Sequence, residues 1–228
     1  MNRIALAATV AAAALVSASP SLARPMTATD MHMMHRLGAP SVSPDGRYAL
    51  FTLSTTDLAK NKRSNPVHIL DLRVAGAQPK PLAGLTAGAH DAVFGPDGAI
   101  WYLAPVKERD QLFRMTMGGK PQLLSDFGAD VSGFKVADNG SRVIVWADTR
   151  DCPDIACAAT TFAAKPEGSG REYDQLFVRH WDTWAEPGTK SRIFSYPVVG
   201  GKLTGGGVRV TGPLVGDTPS KPFGGGEE

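Results

Sequence analysis

Short apolar runs alternate with polar turns along most of this chain, and one turn recurs. Val42 leads into Ser43-Pro44-Asp45-Gly46, and Tyr48-Ala49-Leu50-Phe51 follows. Ala92-Val93-Phe94 leads into Gly95-Pro96-Asp97-Gly98, and Ile100-Trp101-Tyr102 follows. Phe134-Lys135-Val136 leads into a degraded copy, Ala137-Asp138-Asn139-Gly140, and Val143-Ile144-Val145-Trp146 follows. Asp-Gly or Asn-Gly between two apolar runs marks a β-hairpin, because the tight turn needs residues that tolerate positive φ. A hairpin recurring at roughly 40–50 residues predicts the blades of a β-propeller.

The same pattern divides the chain. A first blade over about 39–85 is predicted to hold strands 40–43, 47–54, 67–72 and 80–83, with a polar connector at 57–65. A second blade over about 89–127 holds strands 91–94, 100–104, 111–117 and 121–124. A third, over about 130–212, opens with strands 131–136 and 142–147. Its last two strands, 192–197 and 207–210, are delayed by an insertion at 148–190. Residues 213–228 read as the start of the next blade. Tyr173, Leu176, Phe177, His180, Trp181 and Trp184 recur at helical spacing, which predicts an amphipathic helix in the insertion. The expected fold class is therefore all-β: a partial propeller of about three four-stranded blades plus the approach to a fourth, with a helical insertion in blade three. Ahead of it, in a lead-in over 24–38, Thr27 to Leu37 reads as a short helix. Thr27-x-x-Asp30 resembles a capping box, and Met31, Met34 and Leu37 share one face.

Composition narrows the setting. The chain has 228 residues, 43% hydrophobic and 20% charged, enough for a sizeable core. Its formal charge of +2 is scattered, with no basic stripe, which argues against a nucleic-acid partner. Residues 1–23 have the plan of a secretion signal: Arg3, an apolar run from Ile4 to Val16, and Ser21-Leu22-Ala23 as a small-x-small cleavage site. Cleavage after Ala23 would deliver the protein to a bacterial periplasm or outside the cell. Nothing beyond Ala23 is apolar enough to predict stable membrane insertion. Cys152 and Cys157 share one loop, and in an oxidising compartment a local structural disulfide is expected in preference to two free thiols. His32 and His35 lack a third ligand, so no metal is expected, and no cofactor motif is present.

The insertion carries a more specific signal. Leu176-Phe177-Val178-Arg179-His180-Trp181-Asp182-Thr183-Trp184, followed by Lys190-Ser191-Arg192-Ile193-Phe194, resembles the propeller of the prolyl oligopeptidase family of serine peptidases. It looks most like the dipeptidyl-peptidase 5 and acylaminoacyl-peptidase branch. The opening is similar too: a secretion signal, a short helix, then Ser41-Val42-Ser43-Pro44-Asp45-Gly46-Arg47-Tyr48. The resemblance implies a propeller that gates a C-terminal α/β-hydrolase domain, with a Ser-Asp-His triad on a Gly-x-Ser-x-Gly elbow. No such elbow occurs in this sequence, so no catalytic residue is carried over, and this chain alone is expected to be inactive. Three hairpin copies make an arc rather than a ring, which adds to the expectation of an incomplete protein.

The implied partner is an oligopeptide. An exopeptidase that releases dipeptides must recognise a free N-terminal ammonium, and carboxylates do this by charge-assisted hydrogen bonds. Glu167, Glu172, Asp174 and Asp182 are the candidates, with Trp181 and Trp184 as apolar walls. The competing reading pairs Arg179 with Asp174 or Asp182 and uses the tryptophans to dock the helix. A different reading of the whole chain is a non-catalytic, TolB-like periplasmic propeller that binds a protein or peptide.

Overall fold

In the computed structural model, the described residues are 24–155, 168, 170–174, 176, 178–180 and 183–218. The secretion signal expected over 1–23 lies outside them. Helix α1 (Ala28–Met33) opens on Thr27, whose side chain accepts from the Asp30 amide while the Asp30 carboxylate accepts from the Thr27 amide. Each partner satisfies a donor that the first helical turn leaves free. The helix is shorter than the sequence pattern implies. Arg36–Leu37 leave it as strand β1, which lies opposite Ser54 and Leu53. The expected Met face is not buried: α1 buries no residue, and Leu37 is 70% exposed.

Three antiparallel sheets follow in chain order. The first is built on β3 (Tyr48–Asp57), which pairs with β2 (Ser41–Val42) and β5 (Val67–Asp71), while β6 (Lys80–Pro81) pairs with β5. The far end of β3 also pairs with β1 and β4 (Lys62–Ser64). The connector expected over 57–65 is thus partly a strand; all three residues of β4 are exposed, so no apolar signal marks it. The second sheet has the order β10-β9-β8-β7, from β7 (His90–Phe94), β8 (Ile100–Val106), β9 (Arg109–Met115) and β10 (Gln122–Leu123). In the third, β11 (Val131–Val136) pairs with β12 (Arg142–Thr149). The insertion then contributes β13 (Arg179–His180) and β14 (Thr183–Trp184), an isolated antiparallel pair. Strand β15 (Lys190–Val199) returns beside β12, and β16 (Lys202–Leu203) and β17 (Val208–Arg209) both pair with it.

The helix expected across the insertion is not formed at 179–180 or 183–184. Arg179 lies opposite Trp184 and His180 opposite Thr183, an antiparallel register that excludes helix there. Of the residues at helical spacing, His180 and Trp184 lie on strands.

The recurring turn is built the same way each time. The Gly46, Gly98 and Gly140 amides donate to the carbonyls of Ser43, Gly95 and Ala137 at 2.8, 2.9 and 2.8 Å. Each glycine takes positive φ, at 68°, 75° and 68°. The acid or amide before it accepts from the backbone two residues on: Asp45 from Arg47, Asp97 from Ala99, Asn139 from Ser141. The residue that tolerates the left-handed backbone is therefore always the glycine, and Asp or Asn acts as an acceptor.

Strand alternation then assigns the core. In β8, Trp101 and Leu103 point into one cluster, with Val143, Val145, Phe194 and Tyr196 of the third sheet. Ile100, Tyr102 and Ala104 point the other way, into a cluster with Leu50 and Val67 of the first sheet. A strand buried on both faces reads as a continuous apolar run, and Ile100-Trp101-Tyr102-Leu103-Ala104 is one. The sheets therefore stack serially, first on second and second on third.

Candidate functional site

Antiparallel pairing puts the recurrent turns at one end of the sheets and the β3–β4, β8–β9 and β12–β15 connections at the other. The last of these is the insertion. Its first residues are anchored: Cys152 and Ile155 are buried at 1% and 0% exposure, and Ile155 joins the second–third core. Cys152 is disulfide-bonded, and no free cysteine is present among the described residues. Cys157 lies outside the described residues.

Where the insertion returns to β15, it encloses a cavity of about 360 Å³. Tyr173, Asp174 and Leu176 line one side, 185–189 another, and Lys190, Arg192 and Arg209 the floor. Tight hydrogen bonds shape the mouth. Tyr173 Oη donates to the Ala185 carbonyl at 2.6 Å, and Arg171 donates to Glu186 at 3.1 Å. The Tyr173 and Trp184 rings stack at 6.3 Å, and the Arg179 guanidinium lies 5.2 Å from the Trp184 ring centre. Ring and cation–π contacts thus help to hold the β13–β14 hairpin.

The floor is made by sheet pairing. Phe194 lies opposite Arg209, which brings β17 beside the start of β15. Arg209 is fully engaged: it donates to Asp151 at 2.5 Å, to the Leu214 carbonyl at 3.1 Å and to Thr211 at 3.3 Å. Arg192 is 6% exposed and donates to the carbonyls of Thr149 and Lys190. Burial, and then the charge of Arg209, hold its pKa below the ordinary guanidinium value.

Of the residues singled out in the sequence, Asp174 lines this cavity and has no hydrogen-bond or ion-pair partner among the described residues. Glu172 is exposed on irregular chain and does not line it. Trp184 is 49% exposed and stacks on Tyr173. Arg179 meets Trp184 rather than Asp174. Glu167, Trp181 and Asp182 lie outside the described residues. Tyr173, Lys190, Arg192 and Arg209 are site residues that the sequence pattern did not select. Lys190 and Arg192 sit two apart on one strand face, which was a usable signal; Arg209 reaches the site only through the β15–β17 pairing.

Comparison with known proteins places this architecture. No protein-family model matches the chain. Dipeptidyl-peptidase 5 of Porphyromonas endodontalis is 26% identical over 202 residues, covering 86% of this chain and 28% of that protein. Dipeptidyl-peptidase 5 of Aspergillus fumigatus is 26% identical over 224 residues, covering 92% of this chain and 30% of that protein. This chain is similar to the propeller part of the prolyl oligopeptidase-family peptidases. It spans less than a third of the length of these curated relatives. Among solved structures, the acylaminoacyl peptidase of Pyrococcus horikoshii superposes with a TM-score of 0.54 at 13% identity, over 77% of this chain and 25% of that one. That likeness concerns the fold, and it agrees with an all-β chain of antiparallel, propeller-type sheets.

Proposed function

We propose that this chain is the propeller part of an exported serine exopeptidase of dipeptidyl-peptidase type, and that its insertion helps to recognise the N-termini of oligopeptides. In this reading the sheets are about three four-stranded blades and the lead-in to a fourth. The hydrolase domain lies outside the chain given, and the mature protein works in the periplasm or outside the cell. The propeller gates access to the catalytic centre.

The observation that carries the reading is Asp174, a carboxylate with no partner among the described residues, on the wall of a cavity that Tyr173 and Leu176 also line. A peptide ammonium held there would make a charge-assisted hydrogen bond, worth about 1.5–3 kcal/mol. The aromatic and aliphatic neighbours would meet the first side chain. The curated relatives named dipeptidyl-peptidase 5 support the peptide as the ligand class.

The test uses the protein from its whole reading frame, which should encode a Gly-x-Ser-x-Gly elbow and then an Asp and a His. It should hydrolyse chromogenic dipeptide substrates with a free amine. Asp174→Asn should raise KM for those substrates about tenfold, a loss of roughly 1.4 kcal/mol, and leave N-blocked substrates unchanged. An equal loss on both substrates would remove Asp174 from the role. A frame without the triad, or a protein without hydrolysis, would turn the reading towards a binding propeller.

A further inference from the structure

The cavity floor has cationic donors that its own acids do not use. Asp151 is bound by Arg209 at 2.5 Å, and Glu186 by Arg171 at 3.1 Å. Asp217 accepts from the Ser191 amide at 2.7 Å and stays 3.8 Å from the Lys190 ammonium, beyond hydrogen-bond reach. Lys190 is therefore loosely compensated. Arg192 is compensated less well. Its Nη1 is given to the carbonyls of Thr149 and Lys190, and its Nε has no partner among the described residues. The pull of Asp151, Asp217 and Asp148 on this guanidinium is outweighed by burial and by the charge of Arg209. Arg192, buried and short of hydrogen bonds, and Lys190, held among the described residues only by the 3.8 Å ion pair with Asp217, both line the cavity, so an anion bound there would meet two cations.

We propose that this cavity binds the free carboxylate of a short peptide, held between Arg192 and Lys190. The planar guanidinium matches the two oxygens of a carboxylate, and the lysine adds a second, adjustable donor. The neighbouring wall of Tyr173, Leu176 and Pro213 suits a peptide side chain better than a bare inorganic ion. This carboxylate site goes beyond the N-terminal recognition proposed above and needs no hydrolysis.

The test is calorimetric titration of the full-length protein with an N-acetylated dipeptide, its C-terminal amide, and inorganic phosphate. The N-acetyl group removes the ammonium, so the result does not depend on the role of Asp174. The acid should bind at least tenfold more tightly than the amide. Lys190→Gln, at a partly exposed position outside both core clusters, should weaken the acid several-fold and leave the amide alone. Equal binding of acid and amide, no binding of the acid, or a Lys190→Gln protein that binds the acid normally would each overturn the proposal. Phosphate bound as tightly as the acid, with the same loss in Lys190→Gln, would overturn the peptide class and leave a general anion site.

Discussion

His90 stands between two carboxylates, with Nδ1 3.0 Å from Asp91 and Nε2 2.9 Å from Asp110. Both ring nitrogens can donate only when the imidazole is charged. The Asp91 hydrogen bond does most to raise the His90 pKa, burial opposes it, and Asp110 adds to it, leaving a value of about 9. The geometry has a backbone cost: Asp91 sits at φ 51°, within the irregular register between β7 and β8. Asp110 is fixed in turn, since its amide donates to Asp130 at 2.5 Å. A histidine whose folded pKa lies above its unfolded value stabilises the fold fully below about 6.5, and that contribution is lost as pH rises through about 9. The melting temperature should therefore fall between about pH 6.5 and pH 9, and His90→Gln should flatten that part of the profile. A slope in this window that survives His90→Gln would show that another group is responsible. Sequence spacing does not bring His90 and Asp110 together, because Asp110 reaches His90 only through the pairing of β7, β8 and β9.

At the scale of elements, the three turns show what local sequence can dictate. Each needs one glycine at positive φ and, just before it, one acceptor for the amide two residues on, and both are visible in four consecutive letters. Gly98 meets no atom within 4 Å of an added Cβ, so its requirement is conformational rather than steric. At φ 75°, Gly98→Ala should cost about 1–2 kcal/mol, read as a lower urea midpoint with an unchanged slope. An unaltered midpoint would mean that the turn relaxes into another conformation. The insertion shows the opposite case. Tyr173, Leu176, His180 and Trp184 fit a helical period, yet a two-residue strand is too short for alternation to oppose that reading. The deciding contacts are the Tyr173–Trp184 stack and the Arg179–Trp184 pair, which depend on a fold-back that no periodicity encodes. Strand β4 was hidden for a related reason: Lys62, Arg63 and Ser64 are all exposed, and only backbone pairing with β3 makes them a strand. Asp174 was legible as a candidate because a peptide ammonium calls for a carboxylate and the insertion supplies several. Arg209 was not, since it reaches the cavity only through the β15–β17 register.

For the whole molecule, the middle sheet is the most secure part because it is covered on both faces. Tyr102, Leu103 and Leu112 are 0% exposed, and alternate residues serve the two core clusters. The outer sheets differ. On the first-sheet side, Val42, Leu72 and Val74 are 53%, 49% and 57% exposed. On the third-sheet side, Val208, Val210 and Val215 are 61%, 58% and 76% exposed. Apolar residues gathered at both ends of a stack, next to short strands with free backbone edges, are what neighbouring units cover in repeat architectures. Residues 24–228 expressed alone should therefore self-associate, with sedimentation showing species larger than the monomer at micromolar concentration. Charged substitutions at Val208 and Val210 should reduce this association without lowering the melting temperature of the remaining monomer, because neither side chain belongs to a core cluster. A cooperative, monomeric melt of the unsubstituted chain would show that the middle sheet and its two cores suffice, and that the exposed valines at the ends of the stack have no partner to find.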